Sequence, residues 1–305
     1  MTKRRVLITG ATGYVSGRML DDLRERYDVV PLDVSDRNRE GQKVDGVHVV
    51  DLIDPDRSQY EQHFEGVDTV IHLAHKSRTG RPIDHFFIEK QNVEMAYNVL
   101  RCAYDAGVRR AIVATSNHAA DWYEHNLIHT RKMDVVHPYD FPLSDNFYGW
   151  AKSSQEVMGF LFACGFPSFD HPSGREILVE GINVGRKLEV VMVRIGHPRE
   201  LDPERYGHDP ATFKRVLGCY WSVRDQIQLF TKAVETPNIE NEHGVPFHIV
   251  YGISNNTRAF WSLSNARSVF GYRPEDDSEV RFANIIKGWI TGEDAPGGIG
   301  RVGLS

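Results

Sequence analysis

Short apolar runs alternate with amphipathic stretches along the first two thirds of the chain. The runs are RVLIT, DVVPLD, GVHVVDL, VDTVIHLA, RRAIVATS and LEVVMVRIG. Between them lie a helix-like segment from about Tyr14 and the stretches 84–107 and 147–164, whose apolar residues recur mainly every three or four positions. Apolar strands that alternate with helices are typical of βαβ units. The pattern therefore predicts an α/β fold with a doubly wound parallel sheet buried on both faces.

The pattern becomes less regular after Ser116. The stretches 121–145 and 165–186 are predicted loops, and loops of that length in compact domains are usually functional or partly disordered. Beyond Gly196 the chain mixes helix, loop and one returning strand near 246–251. We therefore predict a main domain over 1–196 that carries both loops, a small interleaved substrate-binding lobe over 197–290, and a flexible tail over 291–305.

Composition excludes several classes of protein. The chain has 305 residues, of which 41% are hydrophobic and 26% charged, and this favours a globular core over disorder. A formal charge of −6 offers no basic field for nucleic acid, and 3 dispersed cysteines suit a reducing compartment. No signal-like segment and no apolar stretch of about 18 residues occurs. We expect no nucleic-acid partner, no membrane partner and a cytoplasmic location.

The segment LITGATGYVSGRML predicts a nucleotide-binding turn. Gly10 and Gly13 lie between the first strand and the first helix, where backbone N–H groups and the positive helix end can meet a pyrophosphate. Asp33 ends the next strand about 20 residues later, as expected for the acceptor of a ribose 2′-hydroxyl. The pattern therefore predicts a Rossmann-type domain that binds NAD. Arg37 and Arg39 leave NADP open as an alternative.

The third glycine of this turn is displaced by one position. Ser16 stands where the third glycine is expected, and Gly17 points about 100° further round the helix. That glycine mainly lets the helix pack closely against the strand. We therefore predict a working NAD site with a slightly displaced first helix, in which the Ser16 hydroxyl can donate toward the phosphates.

Tyr148 and Lys152 lie four positions apart in YGWAK, on one face of a predicted helix. A lysine ammonium near a tyrosine hydroxyl stabilises the phenolate, and this moves the pKa of the tyrosine from about 10 toward working pH. Tyr148 could then take a proton from an alcohol. This interpretation of Tyr148 and Lys152 is strengthened by their position in the chain, because they follow the nucleotide-binding turn and Ser116, which ends an apolar strand.

Together these residues resemble the extended short-chain dehydrogenase/reductase superfamily, also called the NAD-dependent epimerase/dehydratase family. The resemblance also includes DL at 51–52, HLA at 72–74 and Asn92. It implies that Ser116 orients the reacting hydroxyl, that Tyr148 is the base or acid, and that Lys152 holds the ribose. It implies a homodimer through the helices at 84–107 and 147–164. The cofactor-binding residues that it implies are Gly10, Thr12, Gly13, Tyr14, Val15, Asp33, Asp51, Leu52, Leu73, Ala74, Tyr148, Lys152 and Ile195.

Four segments, TSNH, RIG, RVLGCYWSVRD and VYGISNNTRAFW, are similar to those of the uronate dehydrogenases. The resemblance implies NAD-dependent oxidation of a hexuronic acid at C1 to the lactone. Arg215 would bind the carboxylate, since its planar fork pairs both oxygens. The substrate-binding residues expected are Ser77, Asn117, His118, His197 and Arg215, with Phe260 and Trp261 as a pocket wall that stacks on the sugar.

Some residues depart from the uronate dehydrogenase pattern. His197 replaces a serine after RIG, and the following connection adds Arg199 and Arg205. His125 and His129 have the spacing of a helical metal pair, but no third ligand is evident, so we expect no metal. The chemistry is therefore expected to carry over, whereas the identity of the sugar stays open.

Three functions are compatible with these residues. The leading hypothesis is an NAD-dependent dehydrogenase that oxidises a sugar or a sugar acid at C1. A nucleotide-sugar epimerase or dehydratase that retains NAD is the first alternative, although no nucleotide site is evident in the later part of the chain. A non-catalytic NAD-sensing regulator is the second alternative, and the presence of both Tyr148 and Lys152 disfavours it.

Overall fold

The computed structural model describes residues 3–165, 187–202 and 210–291. Seven strands form one sheet in the order β3-β2-β1-β4-β5-β6-β7, and every neighbouring pair is parallel. The predicted fold class is confirmed. The strands are β1 (Arg5–Thr9), β2 (Asp28–Asp33), β3 (His48–Val49), β4 (Thr69–His72), β5 (Arg110–Ser116), β6 (Glu189–Ile195) and β7 (Phe247–Gly252).

Helices connect the strands and cover the sheet. Two of them, α3 and α5, are long and pack against each other. The α-helices are α1 (Tyr14–Gly17), α2 (Leu20–Arg26), α3 (His85–Asp105), α4 (Asp121–Tyr123), α5 (Phe147–Cys164), α6 (Pro210–Cys219), α7 (Val223–Glu235), α8 (Ser264–Phe270), α9 (Ser278–Arg281) and α10 (Ala283–Thr291).

Alternate side chains of the central strands enter two different core clusters. Val6 and Ile8 of β1 belong to one cluster and Leu7 belongs to the other, and all three are fully buried. Side chains of a strand point to opposite faces in turn, so a fully apolar strand requires cover on both faces. This is why the runs RVLIT and RRAIVATS form buried strands.

Three elements differ from the sequence-based expectation. The first helix begins at Tyr14 as predicted but breaks after Gly17, and α2 starts at Leu20. The run GVHVVDL supplies only two strand residues, because β3 is an edge strand that pairs with β2 alone. The segment after β5 is not loop throughout, since Asn117–Ala120 form a 3₁₀ turn, followed by α4 and one π-helical turn over Glu124–Ile128.

A buried ion pair fixes α5 to the sheet. The carboxylate of Glu156 accepts hydrogen bonds from Arg194 Nε at 2.8 Å and Nη2 at 2.7 Å, and from the Thr115 hydroxyl at 3.0 Å. The side chains of Glu156 and Arg194 are almost completely excluded from solvent. Gly159 lets the helix lie close to β6, since a Cβ there would come within 1.9 Å of Met192 Cε. The position of α5 relative to β5 and β6 is therefore closely defined.

The proposed division into a main domain, a lobe and a tail stays a prediction. A strand, β7, occurs at Phe247–Gly252, shifted by one residue from the returning strand expected near 246–251. The predicted loop 165–186, apart from Gly165, and the predicted tail 291–305, apart from Thr291, lie outside the described residues. None of the helices within the described residues is long and apolar enough to cross a membrane.

Candidate active site

A cavity of about 1040 Å³ lies at the carboxyl ends of the central strands. Residues that end or follow β1, β2, β4, β5 and β6 all line it. The chain reverses its direction across the sheet between β1 and β4, and ligands of open α/β sheets bind at such a switch point. Every residue predicted to bind NAD lines the cavity, as do Ser116, Ser77, Asn117, His118, His197 and Arg215; their individual roles stay predictions.

The first glycine of the nucleotide-binding turn has no room for a side chain. Gly10 has φ +67°, and a Cβ there would lie 2.6 Å from the backbone nitrogen of Ala74. The Gly13 N–H donates to the Gly10 carbonyl at 3.0 Å and closes the turn. Glycine at position 10 therefore lets the turn approach the end of β4, and it leaves the start of α1 facing the cavity.

Asp33 joins the nucleotide-binding turn to the end of β2. Its Oδ2 accepts from the Thr12 N–H at 2.9 Å and from the Thr12 hydroxyl at 2.8 Å, and its Oδ1 accepts from the Val34 N–H at 2.7 Å. Two carboxylate oxygens carry about four acceptor sites, so one site remains for a ligand hydroxyl. Asp33 lines the cavity and is placed to accept a ribose hydroxyl.

The hydroxyl of Ser16 has a role different from the one expected. It donates to the carbonyl of Gly10 and is almost fully buried. A hydroxyl has a single proton to donate, so Ser16 cannot donate toward a phosphate while this bond holds. The hydrogen bond from Ser16 to Gly10 thus stabilises the turn, although the glycine expected at position 16 is absent.

The proposed acid–base residues come from two neighbouring elements. Ser116 ends β5, and Tyr148 and Lys152 face the cavity from α5. The ammonium of Lys152 donates to the Ala114 carbonyl at 3.0 Å and to Gln155 Oε1 at 3.3 Å, and it lies 5.9 Å from the centre of the Tyr148 ring. The spacing of YGWAK therefore places both side chains on the cavity face of one helix, as predicted.

Burial raises the pKa of Tyr148 above its usual value, the Ser116 hydroxyl and the positive charge of Arg78 lower it, and the negative charge of Glu89 raises it by a smaller amount. Burial also lowers the pKa of Lys152 to about 8, and the carboxylates of Glu89 and Glu156 oppose that change. Without further positive charge in the site, Tyr148 is protonated at neutral pH. The residues around its ring therefore decide how readily it can act as a base.

Arg215 lines the cavity but is already paired with a carboxylate. Its Nε lies 2.7 Å from Glu124 Oε1, and the Glu124 side chain is fully buried. The amide of Asn117 accepts from Arg215 Nη2 at 3.0 Å and donates to the Ile195 carbonyl at 3.0 Å. Glu124 therefore neutralises the charge that was expected to bind a substrate carboxylate.

The two histidines predicted to bind the substrate are held differently. His118 Nδ1 lies 2.8 Å from Asp121 Oδ2, and Asp121 is fully buried. His197 is fixed through its backbone, because its N–H donates to the Cys219 carbonyl at 2.6 Å. The guanidinium carbon of Arg199 lies 4.3 Å from the centre of the Tyr14 ring at the cavity wall. Arg205 lies outside the described residues.

The pocket wall expected from Phe260 and Trp261 is not observed. Both side chains are buried in a core cluster and are absent from the lining of the cavity. Trp261 stacks on Tyr251 with ring centres 4.8 Å apart, and Phe260 packs against His129. These residues belong to the core because the loop that carries them packs against the sheet. The presence of aromatic residues in the sequence does not reveal this packing.

The histidine pair considered for metal binding has separate partners. His125 Nδ1 lies 3.2 Å from Asp145 Oδ2, and His129 Nε2 lies 3.3 Å from Glu124 Oε1. Within the described ranges, no group of three or more His, Cys, Asp or Glu residues is arranged to hold a metal ion.

Sequence reasoning missed several charged residues of the site. Arg78 lines the cavity beside Ser77, and Glu89 lies buried on α3 close to it. A signal for Glu89 exists, because it precedes Asn92 by three positions on the face of α3 that packs inward, where a charge is unusual. Glu124 and Asp121 carried no such signal, because their turn was expected to be a loop.

These features fit NAD. The turn at Gly10 and Gly13 admits a close phosphate approach, Asp33 offers an acceptor for a ribose hydroxyl, and the cavity continues to Tyr148 and Ser116. The fold and the turn define a dinucleotide-binding α/β protein. The model of the NAD dependent epimerase/dehydratase family matches residues 6–158, about half of the chain. The chain therefore belongs to this family, and its cofactor is NAD.

Three curated relatives match nearly the whole chain. A Haloferax volcanii protein named NAD-dependent glucose-6-phosphate dehydrogenase is 29% identical over 90% of this chain and 94% of its own length. A uronate dehydrogenase of Pseudomonas syringae is 26% identical over 96% of this chain and 89% of its own length. L-arabinose 1-dehydrogenase (NAD(P)(+)) of Haloferax volcanii is 27% identical over 90% of this chain and 97% of its own length. The resemblance to uronate dehydrogenases and related sugar dehydrogenases is thus confirmed.

Proposed function

We propose that the protein is an NAD-dependent oxidoreductase that oxidises a sugar or a sugar acid at C1 to the lactone. The observation that carries the proposal is that Ser116, Tyr148 and Lys152 line the same cavity as the turn at Gly10 and Gly13. The names of the three relatives support a sugar as substrate. A nucleotide turn and a proton-transferring tyrosine in one cavity are what the oxidation of an alcohol requires.

In the proposed mechanism, the anomeric hydroxyl of the sugar lies between Ser116 and Tyr148. Ser116 orients this hydroxyl by hydrogen bonding, and the phenolate of Tyr148 accepts its proton. When bound, NAD supplies the acceptor for the hydride that leaves C1. Lys152 holds the ribose and supports the charge of Tyr148. Loss of one proton and one hydride from the cyclic sugar gives the lactone.

A substrate screen tests the proposal. Purified protein is incubated with NAD and a panel of free aldoses, hexuronic acids and sugar phosphates, and NADH is followed by absorbance. We expect NADH formation with at least one member of the panel, together with a lactone detected by NMR. Conversion of a nucleotide sugar without net NADH, and no NADH with any panel member, would instead establish the epimerase alternative.

The charge balance around Arg215 bears on which sugar is accepted. Arg215 and buried Glu124 form a pair without net charge, so a carboxylate gains less there than beside an unpaired arginine. The donors of Arg215 and Asn117 can still bond sugar hydroxyls. We therefore propose that uncharged aldoses are accepted as well as hexuronic acids, in keeping with relatives named for substrates of different charge.

Replacing Glu124 with Gln should shift this preference. The Gln side chain keeps an acceptor for Arg215 Nε but removes the negative charge, so kcat/KM for a hexuronic acid should rise about tenfold relative to the matching aldose. Glu279→Gln is the control, because Glu279 pairs with Arg258 and does not line the cavity. An unchanged ratio in Glu124→Gln would show that Arg215 does not meet the acidic end of the substrate.

We propose a homodimer built on α3 and α5. Both helices leave apolar side chains exposed, with Phe87 69% and Val157 62% accessible, whereas exposed apolar residues on monomers usually stand singly. The further exposed residues of this surface are Phe86, Tyr97, Trp150, Phe160 and Leu161. Light scattering should give twice the chain mass of 34.7 kDa, and Val157→Glu with Leu161→Glu should give a monomer. A monomeric parent protein would refute this.

A further inference from the structure

An arginine lies over the ring of Tyr148. The guanidinium carbon of Arg78 is 4.5 Å from the ring centre, in the segment that connects β4 to α3. The ammonium of Lys152 is 5.9 Å from the same centre and is bonded to the Ala114 carbonyl and to Gln155. Arg78 is therefore the nearer of the two cations to the ring.

This geometry suits the anionic form of the tyrosine. A guanidinium over an aromatic face is attracted to the ring's electron density, and a planar guanidinium stacks better there than an ammonium does. A phenolate spreads its negative charge into the ring, so the attraction strengthens when Tyr148 loses its proton. Arg78 thus favours the form of Tyr148 that accepts a proton.

A buried carboxylate holds Arg78 in this place. Glu89 on α3 has a fully buried side chain, and its Oε1 lies 3.6 Å from Arg78 Nε without a hydrogen bond from any described residue. Its Oε2 accepts from Asn92 Nδ2 at 3.1 Å. Asn92 also bonds both backbone groups of Lys76. A buried carboxylate needs a cation nearby, so Glu89 and Asn92 together keep Arg78 beside Tyr148.

The other groups that face Tyr148 do not replace this charge. The ring of His75 is 5.3 Å from the ring of Tyr148, and burial lowers the pKa of His75 to about 3, so it is uncharged at neutral pH. Ser116 contributes a neutral hydroxyl. The titratable or charged groups around Tyr148 are His75 and Arg78 after β4, Glu89 on α3, His118 after β5 and Lys152 on its own helix.

We propose that Arg78 is a positioning residue for the proton transfer: stacked over Tyr148 and held by Glu89, it stabilises the tyrosinate that removes the substrate proton. The proposal rests on the proposed function. It assigns to Arg78 a share of the role that the family resemblance gives to Lys152 alone. Lys152, bonded to Ala114 and Gln155, remains available to hold the ribose.

Removing the charge of Arg78 should move the ionisation of Tyr148 to higher pH. In Arg78→Met with bound NAD, the pKa of Tyr148 should rise by about one unit, and Arg78→Lys should recover part of the shift. The measurement is the tyrosinate absorbance after a stopped-flow pH jump. It is recorded before the protein unfolds at alkaline pH. Each trace is corrected with the same protein carrying Tyr148→Phe, which removes the signal of the other tyrosines. Arg81→Met is the matched control, because Arg81 is exposed and paired with Asp84 at 3.0 Å.

The rate should follow the same shift. Oxidation needs the tyrosinate, so kcat/KM rises with pH through the pKa of Tyr148. In Arg78→Met the rising limb of the pH profile should move to higher pH by about one unit. At pH values below the limb, kcat/KM should therefore be about tenfold lower, and at pH values well above it kcat/KM should be unchanged. A merely structural role of Arg78 would instead lower kcat/KM at every pH.

The two measurements distinguish a failure of the proposal for Arg78 from a failure of the proposed function. Identical ionisation curves for the parent protein, Arg78→Met and Arg81→Met would overturn the proposal, as would a loss of kcat/KM that does not depend on pH. If Arg78→Met does not fold, Arg78→Gln, which also removes the charge, decides the question in the same way. If no sugar is oxidised by the parent protein, the proposed function fails, while the ionisation curves still decide the role of Arg78.

Discussion

Replacing Tyr148 with Phe should lower kcat for sugar oxidation by about 10³-fold while the Kd for NAD changes by less than about threefold. The variant removes only the hydroxyl that we propose takes the substrate proton when it is ionised. The ring keeps its contacts with Arg78, His75 and His118. Kcat from NADH formation and Kd from protein fluorescence quenching measure the two quantities on the same preparation.

Tyr97→Phe is the matched control for this variant. Tyr97 lies on α3, is partly exposed and does not line the cavity, so loss of its hydroxyl should leave kcat unchanged. A Tyr148→Phe variant with near-normal kcat would show that another group takes the proton. A variant that loses NAD binding as well would show that the hydroxyl mainly holds the cofactor.

Replacing Gly10 with Ala should cost about 3 kcal/mol of stability and weaken NAD binding at least about tenfold. The new Cβ would lie 2.6 Å from Ala74 N and 2.7 Å from Ala74 Cα, and these backbone atoms cannot move aside without shifting the end of β4. The φ of +67° adds strain for any residue with a Cβ. Chemical denaturation measures the free energy of unfolding, and titration calorimetry measures the affinity for NAD.

Gly17→Ala provides the comparison within the same motif. A Cβ at position 17 meets no atom within 4 Å, and Gly17 lies in α1 outside the lining of the cavity. Alanine favours helix over glycine by about 1 kcal/mol, so Gly17→Ala should be neutral or slightly stabilising. Equal effects of the two substitutions would mean that the turn does not approach β4 as closely as the structure shows.

The sequence was sufficient where local pattern decides the structure. The strands β1 and β2 and the helix α5 have the predicted bounds, because continuous apolar runs and a buried helical stripe leave few alternatives. The spacing of Tyr148 and Lys152 likewise follows from helical geometry alone. These predictions needed no knowledge of which segments meet in space.

The sequence was insufficient where a residue's partner is distant in the chain. Arg215 was expected to be free for a carboxylate, but its charge is paired with Glu124 from the turn after β5. Ser16 was expected to donate toward phosphate, but its acceptor is a backbone carbonyl within its own turn. Pairing of this kind depends on the packed structure and has no periodic signature.

The bond between Glu156 and Arg194 has a consequence for protein engineering. It anchors α5, which carries Tyr148 and Lys152, to β6, and the start of the same helix is held by Asn146, whose side chain accepts from the Gly149 N–H at 2.9 Å. Exchange of residues 122–143 for those of a related dehydrogenase, with Ser144 and Asn146 kept, is therefore expected to leave Tyr148 and Lys152 where they are. The chain offers a scaffold in which substrate range can be redesigned separately from catalytic chemistry.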